Sequence, residues 1–294
     1  MMQMLKLKKF LKIFNIMPER KKESDILYVS KNVSGKSPHP VSIGCGDLFI
    51  PVKILNKSGE SYTSPCHIRI ESSLNNKTNG ANLNKISDYF LARTSLNIDE
   101  LFNDVENNFI NDFESQNLKL KVDFSYFCTK QTPVSLKKCL YKYNSSVTLC
   151  VTEQQKTYFL ETNLPYSSLC PASKEISDYG AHNQRGNAYF KLEFDNINNK
   201  KAFWIEDLIS LVDNSCSSPV FNMTNLQDEA YQTELMYENA LFIEEIVKNM
   251  DEKLQKHIKE KHIKNYLVEL SQKESINTYE TFVKIEYGGK HNDI

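Results

Sequence analysis

The stretch NIDELFNDVENNFINDFESQNLKLKVDFSYF, residues 97–127, changes its apolar period once along its length. In its first part Ile98, Leu101, Phe102, Val105, Phe109 and Phe113 recur three or four residues apart, the spacing of one helical face. From Leu118 the apolar residues alternate as Leu118, Leu120, Val122 and Phe124, and alternate side chains of a strand share one side of a sheet. The pattern therefore predicts an amphipathic helix followed directly by a half-buried strand. Upstream, Leu83, Ile86, Tyr89 and Phe90 give another helical face. Before that, β-prone runs at 41–54 and 62–74 flank the turn Asn56-Lys57-Ser58-Gly59, which reads as a hairpin. With a further strand at 142–151, the first half reads ββααββ.

The second half repeats that order. Strand-like residues 157–164 lead into a loop around Cys170, then a strand at 188–194 and a helix at 204–213. A long helix at 239–261 precedes strands at 266–270 and 281–287. One element order occurring twice, about 120 residues apart, predicts two copies of an α+β module, each an antiparallel four-stranded sheet with two helices on one face. The expected organisation is an N-terminal extension at 1–40, a first module at 41–152 and a second at 153–290.

Composition narrows the function classes. With 40% apolar and 25% charged residues and only nine Gly and nine Pro, the chain is globular rather than disordered or collagen-like. Its 36 basic and 37 acidic residues leave a net charge of −1, so no bulk field favours nucleic acid, and a small-molecule or protein partner is expected. Seven widely spread cysteines with no CxxC pair fit a reducing compartment. No run approaches the roughly 20 apolar residues that span a bilayer, so the expectation is a cytoplasmic protein without a membrane partner. The first eighteen residues are basic, free of acid and apolar at helical spacing. They read either as a membrane-surface or targeting helix or as a loosely docked extension.

The chemistry-bearing stretch is SLCPASKEISDYGAHNQRG, residues 168–186, with twelve residues from Cys170 to His182. It resembles the GTP cyclohydrolase IB family, which carries Ser-Leu-Cys-Pro-Cys-Ser-Lys, an Ile-Ser and Tyr-Gly-Ala-His-Asn-Gln-Arg-Ser-His. FSYFCTKQTPVS (124–135), FWIEDLISLVDNSCSSPVF (203–221) and DEAYQTELMYENALFIEE (228–245) also look like family segments, so the resemblance spans most of 41–288. It implies a tunnelling fold, a GTP or related purine nucleotide as substrate, and a homo-oligomer, with a tetramer expected. It also implies one divalent metal ion per site, held by Cys170, His182 and Glu229. Thiolate, imidazole and carboxylate are compatible with zinc, manganese or iron. Three protein ligands leave an open position at which the ion lowers the pKa of bound water toward ~7.

Other roles follow from the same resemblance. Glu244 is the candidate acid for the N–H edge of a purine or pterin, since a carboxylate accepts two parallel hydrogen bonds. Lys174, Arg185 and Lys85 are candidates for the triphosphate, and Gln184 for a substrate contact. Four segments depart from the family pattern. Its second cysteine is Ala172 and the histidine ending its His-Asn-Gln-Arg-Ser-His run is Asn187. The histidine and arginine of its Gly-Ile-His-Met-Ser-Arg segment align with Asn82 and Lys85, and the two histidines of its Glu-Ser-Ile-His-Asn-His segment with Asn277 and Tyr279. Ring opening, formate loss and recyclisation of GTP need proton transfers for which histidine is best suited near pH 7. Three readings stand at this point. The chain is a cyclohydrolase using Tyr279, His67 or His39 instead, a hydrolase that stops earlier or acts on another guanine-like heterocycle, or a silent ligand-binding subunit.

Overall fold

A computed structural model describes residues 42–73, 83–112, 117–196, 203–222, 225–261 and 263–288. The N-terminal extension with His39, and also Val41, Asn82 and Phe113, lie outside the described residues. Eight strands form one antiparallel sheet in chain order: β1 (Ser42–Leu55), β2 (Ser61–Ser73), β3 (Leu118–Gln131), β4 (Lys138–Val151), β5 (Lys156–Leu169), β6 (Asn183–Phe194), β7 (Ile263–Lys273) and β8 (Glu280–Tyr287). The expected halves are thus strands of a single sheet, joined where Ser145 to Val151 of β4 pairs with Thr162 to Lys156 of β5.

The register explains why one side is a core. Ile68, Val122, Val147, Leu160 and Leu192 stand directly opposite one another on β2 to β6, all buried. Ala188 of β6 continues the apolar side to Leu270 of β7 and Val283 of β8. Helices cover this side: α1 (Leu83–Leu91) and α2 (from Ile98–Asp104 through a π-turn at Val105–Phe109 to Ile110–Asp112) in the first half. Asn97 caps α2 through its side chain, with Glu100 reaching back to the cap, which satisfies N–H groups the helix start leaves orphaned. Phe90, Leu101, Phe102, Val105 and Phe109 are buried against the sheet, as their spacing required. In the second half α4 (Ile205–Asp213) packs on β5, and α6 (Ile243–Lys261) on β7 through buried Ile246, Val247, Met250 and Leu254. The opposite side of the sheet carries His67, Asp123, Glu161 and Lys191, a polar row in matching register.

Two local expectations need correction. The Cys170 loop contains a short helix, α3 (Pro171–Ile176), started by a proline at its first position, where the missing N–H costs nothing. The long helix expected at 239–261 begins only at Ile243, and a separate helix, α5 (Leu226–Glu238), precedes it. Its buried residues are Asp228 and Gln232, so no apolar stripe marks it. Asn225 caps it by accepting the Asp228 N–H at 2.9 Å. The seven cysteines are free thiols. Burial, helped by Asp213, pushes the Cys216 thiol up to about 12, and burial pushes that of Cys66 to about 11. Both stay protonated near neutral pH.

Candidate active site

Strand β5 ends at Leu169 and β6 begins at Asn183, and the intervening loop is folded back on itself. The Cys170 N–H donates to the His182 carbonyl at 3.1 Å, closing the loop. Ser173 is the rivet: its hydroxyl donates to the Cys170 carbonyl at 3.1 Å and accepts the His182 N–H at 3.2 Å, while its own N–H donates to Cys170 Sγ at 3.4 Å. Cys170 and His182 are thereby fixed as neighbours at the end of the sheet. His182 Nδ1 lies 3.1 Å from Gln184 Oε1 and 3.5 Å from Ser275 Oγ. That contact brings the turn between β7 and β8, with Asn277 and Tyr279, to the same place.

Two helices meet the loop from the other side. The Leu241 N–H donates to the Leu169 carbonyl at 3.2 Å, which sets the start of α6 beside Cys170 and leaves Glu244 exposed in its first turn. Lys174 Nζ donates to the Tyr237 carbonyl at 2.6 Å and sits 4.3 Å from the Tyr237 ring, so it pins the C-terminal end of α5. The other end of α5 is docked by Asp228, whose carboxylate accepts the N–H groups of Val134 and Ser135 at 2.9 Å each and the Ser135 hydroxyl at 2.6 Å. Burial alone would raise the Asp228 carboxyl, but these donors hold it below the usual carboxylate range.

The expected site residues divide accordingly. Cys170, His182, Lys174, Glu244 and Tyr279 belong to one end of the sheet. Glu229 lies in the first turn of α5 with an exposed side chain, eight residues or about 12 Å of helix from Tyr237. Among the described residues no three His, Cys, Asp or Glu side chains already converge in metal-binding geometry. Arg185 is exposed on the side of the sheet opposite the buried Gln184. Lys85 belongs to α1, which packs on β1 at the far side of the sheet order. His67 is also remote, on the open side, with Nε2 2.8 Å from Asp47 and Nδ1 3.5 Å from Asp123. Asn187 donates to Asn163 Oδ1 at 2.8 Å, and Asn277 to the Tyr279 hydroxyl at 3.0 Å. A cleft of about 980 Å³ between the β1–β2 turn and α4, lined by Lys57, Tyr62, Cys128 and Glu206, contains none of the expected residues.

Beneath the loop is a polar floor that the sequence did not announce. Tyr166 and Ser168 donate to Gln272 Oε1 at 3.2 and 2.9 Å, and Gln272 Nε2 donates to Glu274 Oε1 at 3.0 Å. Gly186 is required there: a Cβ would sit 2.2 Å from the ring of the fully buried Tyr166. The available signal was the polar residues Ser168, Gln184 and Gln272 at core-facing positions near the ends of three strands that are mostly apolar on that side.

The α+β fold with its single eight-stranded antiparallel sheet is that of the uricases. The chain superposes on uricase from Arthrobacter globiformis with a TM-score of 0.54 over 87% of this chain and 97% of that one, and on a uricase from Bacillus fastidious with 0.50 over 85% and 94%. Identities of 8% and 9% make this a likeness of fold alone. Sequence is more specific: the family described as "Type I GTP cyclohydrolase folE2" matches residues 39–283. GTP cyclohydrolase FolE2 of Dictyoglomus turgidum is 31% identical over 253 residues, 84% of this chain and 92% of that protein, and that of Thermotoga petrophila 30% over 250 residues, 84% and 91%. The chain belongs to the type I GTP cyclohydrolase FolE2 family. Among the described residues no helix is long and apolar enough to cross a membrane.

Proposed function

We propose that this chain is a metal-dependent hydrolase that opens the imidazole ring of GTP, the type I GTP cyclohydrolase reaction leading to a pterin triphosphate. The observation that carries the reading is the fastened pair Cys170 and His182, within a stretch that matches the family over residues 39–283. A sulfur beside an imidazole fits a borderline-soft divalent ion such as zinc, and remains compatible with manganese or iron. Cys170 and His182 would hold the ion, with Glu229 as the third ligand. Glu229 stands in the first turn of α5 with its carboxylate exposed. When bound, the ion activates water near neutral pH.

The chain's own residues supply the rest. Glu244, exposed at the start of α6, offers both carboxylate oxygens to the N–H edge of the guanine. Lys174 is assigned to the triphosphate and Tyr279 to proton transfer beside His182, while Arg185, on the other side of the sheet, and Lys85, on α1, would serve a triphosphate only where a further copy of the chain brings them to it. The repeated element order supports two tandem tunnelling-fold modules, and β1 and β8 leave two sheet edges that pairing with further copies would cover, consistent with a homotetramer. A second reading, arrest at a formylated ring-opened nucleotide or use of another guanine-like heterocycle, draws support from the side-chain pair Asn277 and Tyr279.

Incubation with GTP and zinc or manganese, followed by oxidation, yields pterin fluorescence and formate under the first reading. A ring-opened product without pterin selects the second. Cys170→Ala is expected to lose bound metal together with turnover, by at least ~10³-fold, about 4 kcal/mol of barrier. Full activity in that variant refutes the site.

A further inference from the structure

We propose that Gln184 is a positioning residue, whose buried side-chain oxygen holds the Nδ1–H of His182 so that the ring presents Nε2 and its lone pair to the metal. The inference rests on the metal reading given above and adds to it which nitrogen binds and what selects it. A neutral imidazole carries one N–H and one lone pair, and the partner of one nitrogen decides the state of the other. Here Nδ1 is engaged from the protein side by Gln184 Oε1 at 3.1 Å and by Ser275 Oγ at 3.5 Å.

Gln184 stands beside a polar network. It is buried on the helix-covered side of β6 and stands opposite Ser168 of β5. The Ser168 hydroxyl donates to Gln272 Oε1, which the Tyr166 hydroxyl also reaches. Gln272 passes its amide to Glu274 Oε1, and Thr281 Oγ1 donates to the same oxygen at 3.0 Å. The ends of β5 and β7 thus carry linked polar side chains beside Gln184, and Glu274 is the residue before Ser275. The network thus borders both partners of the His182 Nδ1. The Gln184 side chain is buried and its oxygen meets the His182 ring, so Gln184 acts through the histidine rather than on substrate. Ligand histidines commonly have their second nitrogen fixed by such a partner, and losing it costs roughly 10–100-fold in metal affinity.

The test uses the full chain freed of metal. Zn²⁺ binding is measured by competition with a chromophoric chelator for wild type, Gln184→Leu, Gln184→Glu and Cys170→Ala, and the His182 ring tautomer is read by ¹⁵N NMR. Gln184→Leu is expected to weaken Zn²⁺ binding about 10–100-fold and to move the ring toward the Nε2–H form. Gln184→Glu, which keeps an acceptor oxygen at the same reach, is expected to bind at least as tightly as wild type. Wild-type affinity and tautomer in Gln184→Leu overturn the proposal, as does weakened binding in a folded Gln184→Glu. Should Gln184→Leu fail to fold, Gln184→Met, of matching length, takes its place under the same criterion. Cys170→Ala separates the two layers. If it retains wild-type affinity, the metal site itself is wrong; if it loses metal while Gln184→Leu does not, only the positioning role falls.

Discussion

The two halves of the sheet use the same side for different ends. Under α1 and α2, β1 to β3 present Ile50, Val52, Ile54, Ile68, Ile70, Leu120 and Val122, and the helices answer with Phe90, Leu101, Phe102 and Phe109. Along β6 the same side runs Leu192, Phe190 and Ala188 and then turns polar at Gly186 and Gln184, within reach of Ser168, Tyr166 and Gln272. Burying hydroxyls and amides is favourable only when they are paired, and an apolar floor would have been simpler to build. A linked polar cluster at one end of a largely apolar surface is a local departure from packing rules of the kind expected at functional sites. The contrast lies within one sheet, so differences between folds do not explain it.

The comparison breaks if the apolar half governs the site or the polar half governs stability. Phe102, buried on α2 with its ring stacked 6.3 Å from Tyr158, is the sharper probe of the first half. Phe102→Ala is expected to cost about 3–5 kcal/mol in denaturant unfolding through lost burial and a cavity. Zn²⁺ affinity, measured on the fraction that remains folded, should be unchanged; a parallel fall in affinity would make the two regions one unit. Gly186→Ala is expected to cost less, about 1–3 kcal/mol, because its methyl must displace the Tyr166 ring that underlies the site. Here affinity should fall along with stability, since Tyr166 holds Gln272. Chemical denaturation and metal competition on the same samples give both readings.

The strand and helix order was legible wherever one side of an element meets the core. Leu118 to Phe124 and the stripe from Ile98 to Phe109 appear where their periods put them, because an apolar residue on the wrong side would have to face water. Legibility failed at two kinds of place. Strands β3 and β4 run on to Gln131 and back from Lys138 as a two-stranded ribbon beyond their other neighbours, where Ser125, Thr129 and Lys130 dilute the alternation. The helix α5 is anchored by polar groups, and periodicity is blind to an aspartate that serves as a core residue. At the candidate site, the loop that joins Cys170 to His182 was legible from the motif. The face on which Gln184 and Arg185 separate was not, because it depends on a strand that begins at Asn183, earlier than the residue types alone indicate. Nor was the place where α5 docks, which an aspartate sets.

The smallest expected effect concerns that docking. The Asp228 carboxylate meets Val134 and Ser135 at the β3–β4 turn, and its hydrogen bonds keep it ionised to lower pH than an unfolded aspartate. A carboxyl whose folded value is depressed contributes in full above its unfolded value of about 3.9, and the contribution is lost as pH falls through the lower folded value. Acidification through that window should therefore release the N-terminal turn of α5 before the apolar half unfolds, seen as faster amide hydrogen exchange at residues 228–232 while α2 stays protected. Asp228→Asn, which keeps the shape but not the charge, is expected to show raised exchange in α5 already at neutral pH and no further acid step there. An acid step that persists in Asp228→Asn would assign the anchoring of α5 to some other group.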